Sequence, residues 1–204
     1  MSMSAPPVGQ EPKRQRGHLR VAAIMKAGAE LFAEKGYDGT TMTEIASRSG
    51  TAIASLYRFF PTKESLAEAL LRQYAKHALD GLAEIAARAN AMTPESLADA
   101  FIEYSLALQS ERSFAIDLAD VGSASGERRQ QFRKAMLKSI AGILVATIPS
   151  IPLAKARLMA GTLMTVFKGL SAIPDEKPAI RRALTSEAKA MVALYLGAAA
   201  NAAA

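Results

Sequence analysis

An all-α protein of about nine helices is predicted by three observations on the chain. Apolar residues recur at three- and four-residue spacing through most of the sequence, no stretch alternates apolar and polar residues as a half-buried strand does, and glycine or proline punctuates the apolar runs. Half of the 204 residues are hydrophobic, enough to bury a sizeable core.

The elements follow in order. Residues 1–17 are rich in Pro, Gly and Ser, turn basic at Lys13, Arg14 and Arg16, and are predicted to be a disordered arm. Val21, Ile24, Gly28, Leu31 and Phe32 mark a first helix over 19–35, and Gly36 stands where a helix end favours glycine. After the turn Tyr37 to Thr40, Thr41 and Glu44 form the signature of a capping box, so a second helix starts there with Ile45 and Ala46 on its buried side. Gly50 in Ser49-Gly50-Thr51 ends it. A third helix follows at once, with Leu56, Phe59 and Phe60 as its large apolar residues, Ile53, Ser55 and Arg58 largely on another face, and Pro61 closing it.

Thr62 then caps a long helix that can run to Ala89, interrupted in composition only by Gly81; at ~1.5 Å per residue it would reach about 40 Å. Thr93-Pro94 starts the next, over 94–110, with a cap followed by proline in the first turn. Shorter and longer apolar patterns predict helices over 112–121, 127–148, 153–172 and 179–197. The helix at 127–148 has a basic first half, read as a solvated face.

Composition excludes several function classes. There is no cysteine, which removes disulfides, thiolate nucleophiles and Cys-based metal sites. Two histidines, His18 and His77, cannot build a triad or a histidine metal site within one chain, and no phosphate-cradling glycine loop is present, so no catalysis, cofactor or metal is expected. His77 and Asp80, one turn apart, are read as an ordinary surface pair. The opening residues lack the apolar core of a signal peptide and no apolar run would span a bilayer, so a cytoplasmic protein without membrane attachment is expected. The formal net charge of +6 favours a polyanionic partner. The excess sits early: residues 1–76 hold 11 basic and 7 acidic side chains, against 14 and 12 in 77–204.

Helix, tight turn, helix, with polar and basic residues left on one face of the second, is a geometry that places a helix in the DNA major groove; helical hairpins that merely pack share the spacing. The residues narrow the choice. Thr41-x-x-x-Ile45-Ala46, Gly50, and Leu56-Tyr57-x-x-Phe60-x-x-Lys63-x-x-Leu66 resemble the DNA-binding signature of the TetR family of transcriptional regulators, and Ala29, Leu31-Phe32 and Gly36-Tyr37 extend the likeness back along the first helix.

The resemblance implies a division into the arm 1–17, a helix-turn-helix domain 18–66 and a helical ligand-binding and dimerisation domain 67–204. It implies that Thr41 or Thr43, Tyr57 and Lys63 hold phosphates and that Thr51, Ile53, Ala54, Ser55 and Arg58 face the bases; beside such a motif the basic arm, with Arg20, reads either as a segment that follows phosphates or enters the minor groove, or as a solubilising tail. The chain departs from the family pattern at Ala52, where serine is common, and at Ala54, where glycine is common; Thr51 is then the candidate cap of the third helix. Ile53 and Ala54 cannot hydrogen-bond to bases but can touch thymine methyl groups, so T-rich half-sites are expected.

One such motif reads too few base pairs for a unique site, so a homodimer on a palindromic operator is expected. Leu158, Leu163, Met164 and Phe167 in one helix, with Ile180, Leu184, Met191, Leu194 and Tyr195 in the next, offer more apolar surface than one helical face hides. A large core or a four-helix bundle shared with a twin both fit that surplus; the family uses the second. By resemblance, a small-molecule effector binds in 94–172, where Phe101, Tyr104, Leu108, Phe114, Leu118, Phe132, Met136 and Phe167 are candidate lining and Asp117 and Glu103 would favour a cationic ligand; plain core is the other reading of the apolar ones. The function implied is a ligand-responsive repressor. A sequence-tolerant architectural DNA-binding protein without ligand control is the alternative, and a regulator acting only through protein contacts a third.

Overall fold

The computed structural model describes residues 15–119, 121–122, 125–170, 173 and 176–202. Nine α-helices and one 3₁₀ turn are found among them and no strand: α1 Gln15–Lys35, α2 Met42–Arg48, α3 Ile53–Phe59, α4 Lys63–Ala86, the turn Ala89–Ala91, α5 Pro94–Ala107, α6 Gln109–Leu118, α7 Ser125–Thr147, α8 Leu153–Gly169 and α9 Pro178–Asn201. Two compact units result. One comprises the described residues up to Ala75 together with Ser110–Arg129, the other Lys76–Gln109 together with Gln130 onward.

The local signals act as chemistry requires. Thr41 Oγ1 accepts the Glu44 amide at 3.2 Å while the Glu44 carboxylate accepts the Thr41 amide at 2.9 Å, the capping box in full. Thr62 caps α4 through the Ser65 amide at 3.0 Å. Thr93 caps α5 with a box closed by Ser96, a partner the sequence reading left out, and Pro94 follows in the first turn.

Boundaries shift where tertiary contacts add to local preference. α1 begins at Gln15, so the end of the expected arm is helical; residues 1–14, including Lys13 and Arg14, lie outside the described residues. α4 stops at Ala86, and α9 continues to Asn201. By contacts the first unit ends at Ala75 and also takes in Ser110–Arg129.

The reason is apolar burial. Ile24, Leu31 and Phe32 of α1, Ile45 of α2, Leu56 of α3 and Leu66 and Leu70 of α4 form one cluster, and Phe114, Ala115 and Leu118 of α6 belong to it. A seven-residue helix such as α2 or α3 is unstable alone and exists because this cluster hides its apolar side. Arg128 at the start of α7 is held inside the same unit by Glu68 at 2.8 Å and the Val121 carbonyl at 2.6 Å.

The second unit centres on α5. Phe101 packs against Phe167 of α8 with ring centroids 5.6 Å apart. Tyr104 donates its hydroxyl to the Ala78 carbonyl at 2.8 Å, and its ring lies so close to Gly81 that a Cβ there would come within 2.9 Å of it. Gly81 therefore serves close packing of α5 on α4, not a break in the helix. Lys189 of α9 bonds Glu103 of α5 at 2.9 Å. On its other side α9 carries Ile180, Leu184, Met191 and Leu194 to solvent.

Candidate nucleic-acid interface

The exposed face of α3 is built from the turn that precedes it. The Thr51 amide donates to the Ala46 carbonyl at 2.9 Å and the Gly50 amide to the Ser47 carbonyl at 3.2 Å, the paired bonds of a Schellman motif, with Gly50 at φ +61°. Only glycine takes that conformation without steric cost. This lock determines where α3 starts. Ala52 is its N-cap and gives no side-chain bond, so Thr51 is not the cap: it is tied into the end of α2 and its hydroxyl reaches only the Ser49 carbonyl at 3.4 Å.

From Ala52 onward the register follows. Leu56, Phe59 and Phe60 are buried, and Ile53, Ala54, Tyr57 and Arg58 face solvent, spaced so as to form one stripe along the helix. Thr51 and Ser55 are half-buried at its edge. The Arg58 guanidinium lies 5.0 Å from the Phe59 ring centroid. Ser55 is not simply exposed, because Arg20 of α1 donates to its Oγ at 3.2 Å.

The four residues expected to hold phosphates, with Thr41 and Thr43 as alternatives, differ from one another. Thr41's hydroxyl is used twice in the capping box, accepting from the Glu44 amide and donating to the Glu44 carboxylate at 2.9 Å, whereas Thr43 is exposed and makes no hydrogen bond among the described residues. Tyr57 is exposed and likewise makes none. Lys63 is half-buried, and its ammonium donates to the carbonyls of Tyr37 at 2.7 Å and Thr40 at 2.9 Å and sits 4.2 Å from the Tyr37 ring centroid. It joins the start of α4 to the loop between α1 and α2.

Ion pairs reinforce that frame. Lys35 meets Glu44 at 2.6 Å and Arg48 meets Glu34 at 2.6 Å, both joining α1 to α2. The Lys35 ammonium, with the Thr41 amide and hydroxyl, lowers the Glu44 carboxyl to about 2. A carboxyl with a lowered folded-state pKa contributes stability above its unfolded value, and this is lost as pH falls through the folded value. The expected result is that the Glu44 carboxyl, followed by NMR, stays ionised through pH 4 and that α2 amide protection weakens progressively as pH falls from about 4.5 to about 2. Glu44 titrating near its ordinary 4.5 would show that the box and the Lys35 pair are open in solution.

The residues expected to line an effector pocket do not form one group. Phe101, Tyr104, Leu108, Met136 and Phe167 are buried and Phe132 half-buried in the second unit, while Phe114 and Leu118 belong to the core of the first. Asp117 lies in α6 with its side chain outside the description. Glu103 is occupied by Lys189. A groove of about 440 Å³ in the second unit lies elsewhere, lined by Leu170, Ile173, Leu184, Met191 and others, with Glu176 and Glu187 at it. The residues expected at a dimer interface divide too: Leu163 and Phe167 are buried, Met164 and Tyr195 half-buried, and Leu158, Ile180, Leu184, Met191 and Leu194 exposed. Among the described residues no helix is long and apolar enough to cross a membrane.

The Arg20–Ser55 bond, the carbonyl partners of Lys63 and the place of α6 were not legible from spacing. Each joins residues far apart in the chain.

Known proteins agree with this geometry. The family described as bacterial regulatory proteins, tetR family, matches residues 24–70, the stretch from the buried face of α1 to the first two turns of α4. The HTH-type transcriptional repressor KstR2 of Rhodococcus jostii is 35% identical over 69 residues, which are 34% of this chain and 33% of that protein. The match thus spans about a third of the curated relative's length. Beyond it the likeness is one of fold. A transcriptional regulator from Rhodococcus sp. Rha1 superposes with a TM-score of 0.68 at 20% identity, covering 90% of this chain and 97% of that one. The regulator FadR from Bacillus subtilis, in complex with stearoyl-CoA, does so with a TM-score of 0.60 at 19% identity over 84% and 97%. Residues 24–70 thus form a helix-turn-helix of the tetR family of bacterial regulatory proteins, set in an all-helical fold that the chain shares with solved transcriptional regulators.

Proposed function

We propose that the protein is a cytoplasmic, homodimeric repressor that binds a palindromic operator through α3 and is released by a small molecule bound in its second unit. The observation that carries the DNA part is the exposed stripe Ile53, Ala54, Tyr57 and Arg58 on a helix whose opposite side is locked into a core. Ile53 and Ala54 supply methyl contacts for thymine, Arg58 a fork of donors for guanine or phosphate, and Thr43 and Tyr57 hydroxyls for the backbone. The exposed apolar stripe of α9, together with the exposed Leu158 of α8, supports a two-fold pairing that would present two copies of α3 to successive turns of the groove.

For the effector, support comes from the apolar character of the second unit and from the fold shared with a regulator solved with stearoyl-CoA. An apolar or amphipathic molecule suits the apolar residues of this unit, Phe101, Leu108, Met136 and Phe167 among them, better than a polar one. Such a ligand lowers operator affinity by the factor by which it prefers the DNA-incompetent state. α4, continuous from Lys63 to Ala86 and shared by both units, is the natural lever.

The test is selection of bound sites from random DNA by the purified protein, followed by titration of the best site against scrambled DNA at two salt concentrations. A palindrome with T-rich half-sites, preferred by about 10³ or more, is expected. Salt-steep binding without an enriched site would replace this reading with that of a sequence-tolerant architectural protein.

A further inference from the structure

We propose that Arg20 sets the polarity with which Ser55 reads DNA, acting as a positioning residue for base recognition in addition to any contact of its own with phosphate. The inference rests on the operator-binding role of α3 proposed above. It starts from one bond: Arg20 Nη1 donates to Ser55 Oγ at 3.2 Å, from α1 across to α3.

A serine hydroxyl has one O–H and two lone pairs, and by itself it reads either donors or acceptors on a base edge. A guanidinium has only donors. With Arg20 donating into Oγ, one lone pair is occupied and the O–H must turn away from the guanidinium hydrogens. Among the described residues that O–H donates to nothing, so it is available beyond the protein. The positive charge beside the oxygen also repels an approaching amino group. Ser55 therefore becomes a donor. It favours guanine O6 or N7, adenine N7 or thymine O4, and rejects cytosine, whose major-groove edge offers the N4 amino group.

Nothing else in the immediate frame would impose this polarity. Ile53 and Ala54 have no hydrogen-bonding side chains, and Arg58 lies against the Phe59 ring. Ser55 is half-buried at the edge of the exposed stripe, so its rotamer is constrained by packing as well as by Arg20.

The experiment compares site selection by wild type, Arg20→Ala, Ser55→Ala, the double variant of these two, and Arg16→Ala, each checked by thermal melting. Arg16 is an exposed cation one turn earlier on the same helix and serves as the control for lost charge. Wild type is expected to exclude cytosine at one position of each half-site. Arg20→Ala should relax that exclusion about fivefold, the worth of roughly one hydrogen bond, at the position that Ser55→Ala also relaxes, and the double variant should add little. Arg16→Ala should weaken every sequence alike. If Arg20→Ala gives the same uniform loss and leaves the base profile intact, the proposal is overturned. If wild type enriches no site at all, the operator-binding role itself fails, which is a separate outcome.

Discussion

Lys63→Met is expected to lower the melting temperature by about 5–10 °C while leaving the salt dependence of DNA binding as it is in wild type. The substitution keeps the length of the side chain and removes only the ammonium. In the native structure that ammonium serves the carbonyls of Tyr37 and Thr40 and the face of the Tyr37 ring. Thr40 is itself buried, and its hydroxyl donates to the Gly36 carbonyl at 2.8 Å, so the whole turn after α1 depends on internal donors. Deleting the charged donor takes from the Thr40 carbonyl its side-chain partner and leaves the Tyr37 carbonyl only the Thr40 amide at 3.3 Å, at a cost of about 2 kcal/mol.

The resemblance to known regulators makes a different prediction for the same residue, in which Lys63 neutralises a phosphate. Its loss would then reduce the slope of log affinity against log salt by about one while barely touching stability. Thermal melting and a salt titration on one variant therefore separate the two roles. An unchanged melting temperature with a shallower slope would assign Lys63 to the phosphate.

Leu194→Glu, and independently Leu158→Glu, are expected to convert the protein from dimer to monomer and to weaken operator binding by at least about thirtyfold, the effect of losing an interface hot spot. Both side chains are more than two-thirds exposed in the single chain, at 76% and 72%, so a carboxylate there costs the monomer fold little. In a two-fold interface the same charge would face apolar surface and, near the axis, its own copy. Sedimentation velocity reads the first effect and operator titration the second. By contrast Leu163→Glu, at 1% exposure, would unfold the second unit and inform on nothing else. Dimeric variants with full operator affinity would move the interface away from this face, and a monomeric wild type would overturn the dimer itself.

The helix-turn-helix was legible in the sequence because its determinants are local. Thr41 and Glu44 stand one turn apart, Gly50 is the residue a left-handed C′ position demands, and Leu56, Phe59 and Phe60 are spaced to one side of a short helix. Their pattern over residues 24–70 was also enough to match that segment to the tetR family of regulatory proteins. The helices of the second unit were visible for the same reason, since periodicity and punctuation are properties of neighbouring residues.

Tertiary structure decided whatever depended on which apolar face meets which. Phe114 and Leu118 have the look of pocket lining, as Phe101 does, and only folding assigns them to the core beneath the helix-turn-helix. Leu158 and Leu163 lie on one amphipathic helix, yet the first is exposed and the second buried, because the face that packs inward, with Phe167 against Phe101 of α5, is chosen by packing and not by composition. Charged groups show the contrast most clearly. Sequence placed Arg20, Ser55 and Lys63 near DNA on the strength of their type and position; their hydrogen bonds run to partners 35, 35 and more than 20 residues away, and those bonds determine which of their donors remain for a ligand. Local chemistry thus named the elements and the family, and long-range packing determined what each side chain is free to do.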